Sequence, residues 1–432
     1  MVLLKNFKNI FKIPELKNKL LVTLGIIIVH RIGAYIPIIG VNINQLLSMF
    51  ADKATNVGGF LKYFDLVSGG SLGTCAIFAL GIAPYINASI IMQILSLTVP
   101  SLEALSKEGE YGRKIINQYT RYLTLAISIV YSVSSAMYLI HSNTVNPGLL
   151  LDSGLGFIAL FTLSMVTGSM FVMWLGEQIS LFGIGNGSSM IIFSGIISRL
   201  PSVIANIVHI GSTRPTKALL IIALFTLITL SIVYLEKAYR KIPVQYSRRI
   251  IGQRVYGGQS TYIPFKINTS GIMPVIFAQA LLQIPSFVFG LLNIPWLTSL
   301  FRNGSILYNA LEFALIIVFT YFYTAIAFNP EELADNMKKS GGFIPGIRPG
   351  KQTANYFDFI LNRIGLVGAI YLGFLAIAPN VLARILDVSP DAIINGTSLL
   401  IMVSVALEMS AQMESYLIEH KYEGFLSTGR IK

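Results

Sequence analysis

Apolar stretches of about 20 residues recur along this chain from one end to the other, and that recurrence leaves few folds open. A helix of about 20 apolar residues matches the ~30 Å hydrocarbon layer of a bilayer. Inside that layer every backbone N–H and C=O has to be bonded within the protein, which favours helices. We read ten spans, at roughly 20–39, 75–99, 122–140, 155–176, 188–208, 217–235, 271–292, 306–328, 359–379 and 396–415. The expected fold class is therefore an all-α polytopic membrane protein with ten transmembrane helices. Charged residues make up 12% of the chain and hydrophobic ones 54%, too little polar surface to cover a soluble core. The first run begins near Leu20 and keeps His30 and Arg31, so it is expected to stay as a span and not to be removed as a leader. Pro84 interrupts the second span, and Ser68-Gly69-Gly70-Ser71-Leu72-Gly73 precedes it. Arg199 and Pro201 in the fifth predict an irregular outer end.

A net charge of +12 could point to nucleic acid, but the placement of the charges gives it a topological meaning. With the N-terminus inside, 24 Lys and Arg fall in cytoplasmic segments and seven outside, and Arg31 lies deep within the first span. Both termini are then cytoplasmic, as an even number of spans requires. Residues 1–19 place Lys5, Lys8, Lys12, Lys17 and Lys19 among Phe7, Ile10, Phe11, Ile13 and Leu16. That pattern suits a helix on an anionic membrane surface, or more simply a solvated basic tail. Residues 20–210 form a first half of five spans and 211–415 a second, with a cytoplasmic tail at 416–432. The equal count suits two pseudo-symmetric halves of inverted topology. The inner loops 236–270 and 329–358 are longer than connection requires and have the composition of structured hairpins.

The catalytic search is empty. Gly350-Lys351 sits where a phosphate loop would end, but Pro345 and Gln352 replace the Gly and the Ser or Thr that such a loop needs. His30, His141, His209 and His420 are too scattered for a metal, and Cys75 reads as a small buried residue. Neither an enzyme, a cofactor nor a metal is expected. Of the ionisable residues near spans (Arg31, Glu177, Glu312 and Glu408), only Arg31 falls deep, so an ion-coupled secondary transporter is the weaker alternative. Uncharged polar residues line the spans instead: Asn87, Ser89 and Gln93 in the second, Gln279 and Gln283 in the seventh. They serve interhelical hydrogen bonds equally well.

Six segments carry a specific resemblance. They are Ala79-Leu80-Gly81-Ile82-Ala83-Pro84-Tyr85-Ile86-Asn87-Ala88-Ser89-Ile90-Ile91, Gly183-Ile184-Gly185-Asn186-Gly187-Ser188, Arg254-Val255-Tyr256-Gly257-Gly258-Gln259-Ser260-Thr261, Lys266-Ile267-Asn268 with Gly271 and Pro274, Ile344-Pro345-Gly346-Ile347-Arg348-Pro349-Gly350, and Gly396-Thr397-Ser398-Leu399-Leu400-Ile401. In content and order they resemble the SecY family, the channel subunits of Sec protein translocases. The resemblance implies an hourglass channel that conducts unfolded preproteins and releases apolar segments sideways into lipid. It implies a pore ring of Ile82, Ile86, Ile192, Ile276 and Ile401, and a plug near 60–74 that includes Tyr63, Phe64, Leu66, Val67, Ser68, Gly69 and Gly70. It implies a lateral gate at Asn87, Gln93, Gln283 and Ile284, and contacts to the SecA ATPase or a translating ribosome at Lys241, Arg254 and Arg348. SecE and SecG would be the small membrane partners, signal peptides and membrane lipids the other ligands, and the plasma membrane the location. Two positions depart from the family pattern. Gln253 stands where a second arginine is frequent, and Ser188 stands where a pore isoleucine is usual, placing a polar group near the constriction.

Overall fold

A computed structural model describes residues 13–46, 69–71, 73–145, 148–151, 154–246, 249–251, 254–256, 260–291, 305–386 and 394–428. Its elements are α1 (Pro14–Gly33), α2 (Ala83–Thr98), α3 (Pro100–Lys107), α4 (Glu110–Val145), α5 (Leu155–Phe182), α6 (Gly187–Thr213), α7 (Pro215–Lys237), β1 (Tyr239–Tyr246), β2 (Arg249–Ile251), β3 (Arg254–Tyr256), β4 (Ser260–Lys266), α8 (Met273–Leu291), α9 (Ile306–Ala327), α10 (Pro330–Lys339), β5 (Gly342–Phe343), α11 (Lys351–Ile385) and α12 (Gly396–Thr428). Each of the ten spans read from the sequence falls on one long helix. Among the described residues seven helices are long and apolar enough to cross a membrane by themselves, and the pair α2 and α3, bent by 98°, has that length and composition only when taken together. Val99 before Pro100 is extended, the conformation that a following proline imposes, and this breaks the pair.

Two compact units divide the chain. One comprises residues 1–206, 280–305 and 405–432, the other 207–279 and 306–404. In the first, α1 stops at Gly33, several residues before the expected end of its span. A Cβ at Gly33 would meet the Phe78 ring at 1.9 Å, so glycine alone admits that ring. The chain leaves the helix after Gly33, and 36–38 pair with 75–77: Ile38 N–H donates to Cys75 at 2.9 Å and Ile77 N–H to Ile36 at 2.9 Å. The second span is therefore helical only from Ala83, although apolar residues begin at 75. Arg31 consequently lies in the last turn of α1, where a cation suits the helix C-terminus. Cys75 is buried, as expected, and takes φ 48°. The core beneath this crossing joins Cys75, Leu80, Tyr131, Leu149, Phe157, Phe161 and Met165.

The α4 helix presents Thr124, Ser128 and Ser132, all fully buried, on one face. Thr124 and Ser132 donate to carbonyls one turn back and Ser128 to that of Leu125, so small polar side chains pack closely without orphaned groups. The expected irregular outer end of α6 is absent: the helix runs unbroken through Pro201 to Thr213. A proline removes one N–H donor, a loss a membrane helix tolerates.

In the second unit the two long loops fold as one small layer. β1 pairs antiparallel with β4, Tyr239 opposite Lys266 through Gln245 opposite Ser260. β5, from the second loop, joins the other edge of β1. Ile242, Val244 and Phe265 from the sheet bury against Ala334 and Met337 of α10 and Phe357 of α11. Asn329 caps α10 by accepting from the N–H groups of Glu331 and Glu332.

Candidate functional site

The residues expected to form the ring are divided between the units. In the first, Ile82 immediately precedes α2 and is 2% exposed. Its Cδ1 and that of Ile191 would lie 3.2 and 3.3 Å from a Cβ at Gly176, so both side chains seat over this glycine of α5. Ile86 is half-buried one turn into α2, and Ile192 is buried in α6. In the second unit Ile276 and Ile401 are both buried, on α8 and α12. Gln279, one turn beyond Ile276, donates from Nε2 to Oγ1 of Thr397, one turn before Ile401. These two isoleucines therefore stand on helices that are bonded to each other.

Ser188 does not project a free hydroxyl. Its Oγ donates to Oδ1 of Asn186 at 2.6 Å, and its N–H donates to the same oxygen at 3.1 Å. The polar group is spent on the N-terminus of α6. The Gly183–Ser188 turn is itself clamped. Ile184 N–H donates to Thr23 Oγ1 at 3.0 Å and Gly185 N–H to Gln412 Oε1 at 2.8 Å. Gly187 crosses Gly176 so closely that a Cβ would stand 1.7 Å from its carbonyl oxygen.

Of the expected plug, Tyr63, Phe64, Leu66, Val67 and Ser68 lie outside the described residues. Gly69 and Gly70 are turn residues at φ 70° and 91°, values that favour glycine. The Gly69 carbonyl accepts from Ser198 Oγ at 3.3 Å, and a Cβ on Gly69 would stand 2.6 Å from Arg31 Nη1 and 2.9 Å from Gly195 Cα. This end of the segment is thus seated tightly on α6.

Asn87, an expected gate residue, is buried and donates from Nδ2 to the hydroxyl of Tyr131 at 2.9 Å. Gln93 is half-buried and donates to Ser89 Oγ at 3.4 Å. Gln283 and Ile284 fall within α8, their side chains outside the described set. On the two long loops, Lys241 Nζ sits 4.6 Å from the centre of the Tyr262 ring. Arg254 opens β3 opposite Ile251. Arg348 is exposed, on a turn closed by the Ile347 N–H to Ile344 bond at 3.1 Å and by Thr353 Oγ1 donating to the Arg348 carbonyl at 3.0 Å.

Sequence reasoning missed three partners. Tyr131 in the third span gave no signal beyond its place on the Thr124, Ser128 and Ser132 face. Glu177 forms a bidentate pair with Arg121, at 2.9 and 2.7 Å, which opposite charges near the ends of two neighbouring spans could have suggested. Glu312, which the sequence does not place deep within a span, is 1% exposed and bonded to Gln279. Among the described residues no group of three or more His, Cys, Asp or Glu could hold a metal ion.

Among the described residues, the long apolar helices, the sharply bent pair α2 and α3 and the small sheet layer built from the two long loops define a class by fold. A solved protein-conducting channel covers 92% of this chain and is covered to 92%, at TM-score 0.61 and 18% identity. A SecY channel whose plug domain stabilises the closed state and maintains a membrane seal matches at TM-score 0.62, 18% identity and the same coverage. Sec61 from the canine ribosome–channel complex matches at 0.58 and 17%, again with 92% of each chain covered. The fold is that of protein-conducting channels. In sequence, residues 76–410 match the SecY family. The protein translocase subunit SecY of Thermotoga maritima is 41% identical over 430 residues, 99% of this chain and 98% of that protein. That of Escherichia coli K12 is 42% identical over 428 residues, 97% and 95%. The chain belongs to the SecY family. It is a multi-pass membrane protein and a protein-conducting channel subunit of the translocase, not an enzyme, and the transporter alternative finds no support.

Proposed function

We propose that the chain forms the central pore through which unfolded preproteins cross the plasma membrane, with its termini in the cytoplasm and apolar segments leaving sideways into lipid. Its near-full-length identity to protein translocase subunits carries this reading. Ile82, Ile86, Ile192, Ile276 and Ile401 form a gasket. Branched apolar side chains wet poorly, so ions are obstructed while a passing chain pushes them aside. The segment ending at Gly69 and Gly70 is the plug, supported by the tight seat of Gly69 on α6. The gate lies at Asn87, Gln93, Gln283 and Ile284. An opening there sorts segments by partitioning, since a Leu-like residue gains ~0.3–0.6 kcal/mol in the membrane and a central charge costs ~2.5–3.5 kcal/mol.

The driving force comes from partners. SecE and SecG pair with the chain in the membrane, and the SecA ATPase or a ribosome engages Lys241, Arg254 and Arg348. The ribosome-bound canine relative supports the second of these motors, and the folded sheet layer supports a firm docking surface. Reconstitution into vesicles tests the proposal. With the small membrane partners and the ATPase, an unfolded preprotein should become protease-protected in the lumen, dependent on ATP. Ion-coupled uptake of a small solute without the motor, and no preprotein transport with it, would contradict it.

A further inference from the structure

A carboxyl group within a membrane span is costly unless it is bonded. Glu312, in the second turn of α9, is 1% exposed, and Gln279 of α8, 7% exposed, hydrogen-bonds to it. The same Gln279 amide donates to Thr397 of α12, 2% exposed. The second carboxyl oxygen of Glu312, Oε2, is buried with no hydrogen-bond partner. Three helices thus meet at one polar junction inside a single compact unit. The start of α12 is also held against α11, where a Cβ on Gly396 would stand 2.1 Å from the Ala376 carbonyl oxygen.

The register of this junction matters. Ile276 and Gln279 share a face of α8 by three-residue spacing, and Thr397 and Ile401 share a face of α12 by four-residue spacing. Consecutive spans alternate in direction, so the seventh and tenth run antiparallel. Each isoleucine then lies one turn from the junction, on the same side of it. A bond between Gln279 and Thr397 therefore sets the two isoleucines level with each other. We propose that Glu312 is a positioning residue for the pore seal: by fixing the Gln279 amide against Thr397 it ties α8, α9 and α12 together and holds Ile276 and Ile401 at their closed spacing. This rests on the ring assignment made above.

The test is resting ion leak per channel in planar bilayers, for the full chain with its membrane partners at matched abundance. Glu312→Leu and Gln279→Leu should each raise the leak by about 2- to 10-fold, the bias that one lost hydrogen bond places on a two-state equilibrium. The double variant should leak no more than either single one, because both remove the same junction. Glu312→Gln, which keeps an acceptor oxygen, should restore the seal to within about twofold. Ile276→Ser in the same series tests the ring separately. If Ile276→Ser leaks and Glu312→Leu does not, the positioning role is overturned while the ring stands. If neither leaks, the ring assignment fails and the junction has no seal to position. If Glu312→Gln leaks as much as Glu312→Leu, hydrogen-bond positioning is overturned. Should Glu312→Leu fail to accumulate, Thr397→Val breaks the junction with the carboxyl left in place, and an unchanged leak there also overturns the proposal.

Discussion

Arg348 stands on a turn flanked by Gly346 at φ 83° and Gly350 at φ 107°, both conformations that glycine reaches without strain. Its own carbonyl is tied to Thr353, so the exposed guanidinium projects from a fixed backbone. A planar fork of donors on a firm tip recognises carboxylate or carbonyl groups in a way an ammonium cannot reproduce. Arg348→Lys should therefore impair ATPase-driven translocation at matched membrane abundance, and Arg348→Glu should abolish it. Full activity of the lysine variant would reduce Arg348 to a topology-setting charge. The pair Asn87 and Tyr131 allows a second prediction at this scale. Tyr131→Phe leaves a buried amide without its partner and should cost about 1–3 kcal/mol, read from thermal unfolding in detergent. Adding Asn87→Leu should recover part of that loss, because an apolar pair needs no bond. If the double variant is less stable than Tyr131→Phe alone, the bond is not what the site depends on.

At the scale of elements, apolar runs located every span but not where helix yields to irregular chain. The run from 75 reads as helix by hydropathy, yet 75–77 are bonded to 36–38 and helix starts only at Ala83. Long-range pairing of that kind leaves no local pattern; Pro84 and Gly81, at φ 55°, were its only trace. The sheet layer was legible as structured loops, while the joining of β5 to β1 across about a hundred residues was not. The Gly183–Ser188 motif was legible as a signature but not as a clamp, since Thr23 and Gln412 lie far away in sequence. Close crossings decide which glycines are replaceable. Gly187→Val would force a side chain into the Gly176 carbonyl. Overpacking costs ~1–3 kcal/mol or more, so this variant should lose protease resistance and abundance. Gly25→Ala, with open space around its Cβ, should retain both. Equal behaviour of the two variants would refute the crossing.

For the whole molecule, the account depends on a polypeptide passing the ring positions and not some other surface. Ile276 and Ile401 are buried on bonded helices, whereas Leu219 of α7 is 68% exposed. The measurement that tests this most directly places a photoreactive amino acid at each of these three positions in turn. A preprotein is then stalled midway across the membrane and the sample illuminated. The account predicts crosslinks to the stalled chain from positions 276 and 401 and none from 219. Crosslinking from 219 alone, or equal labelling from all three, would contradict it.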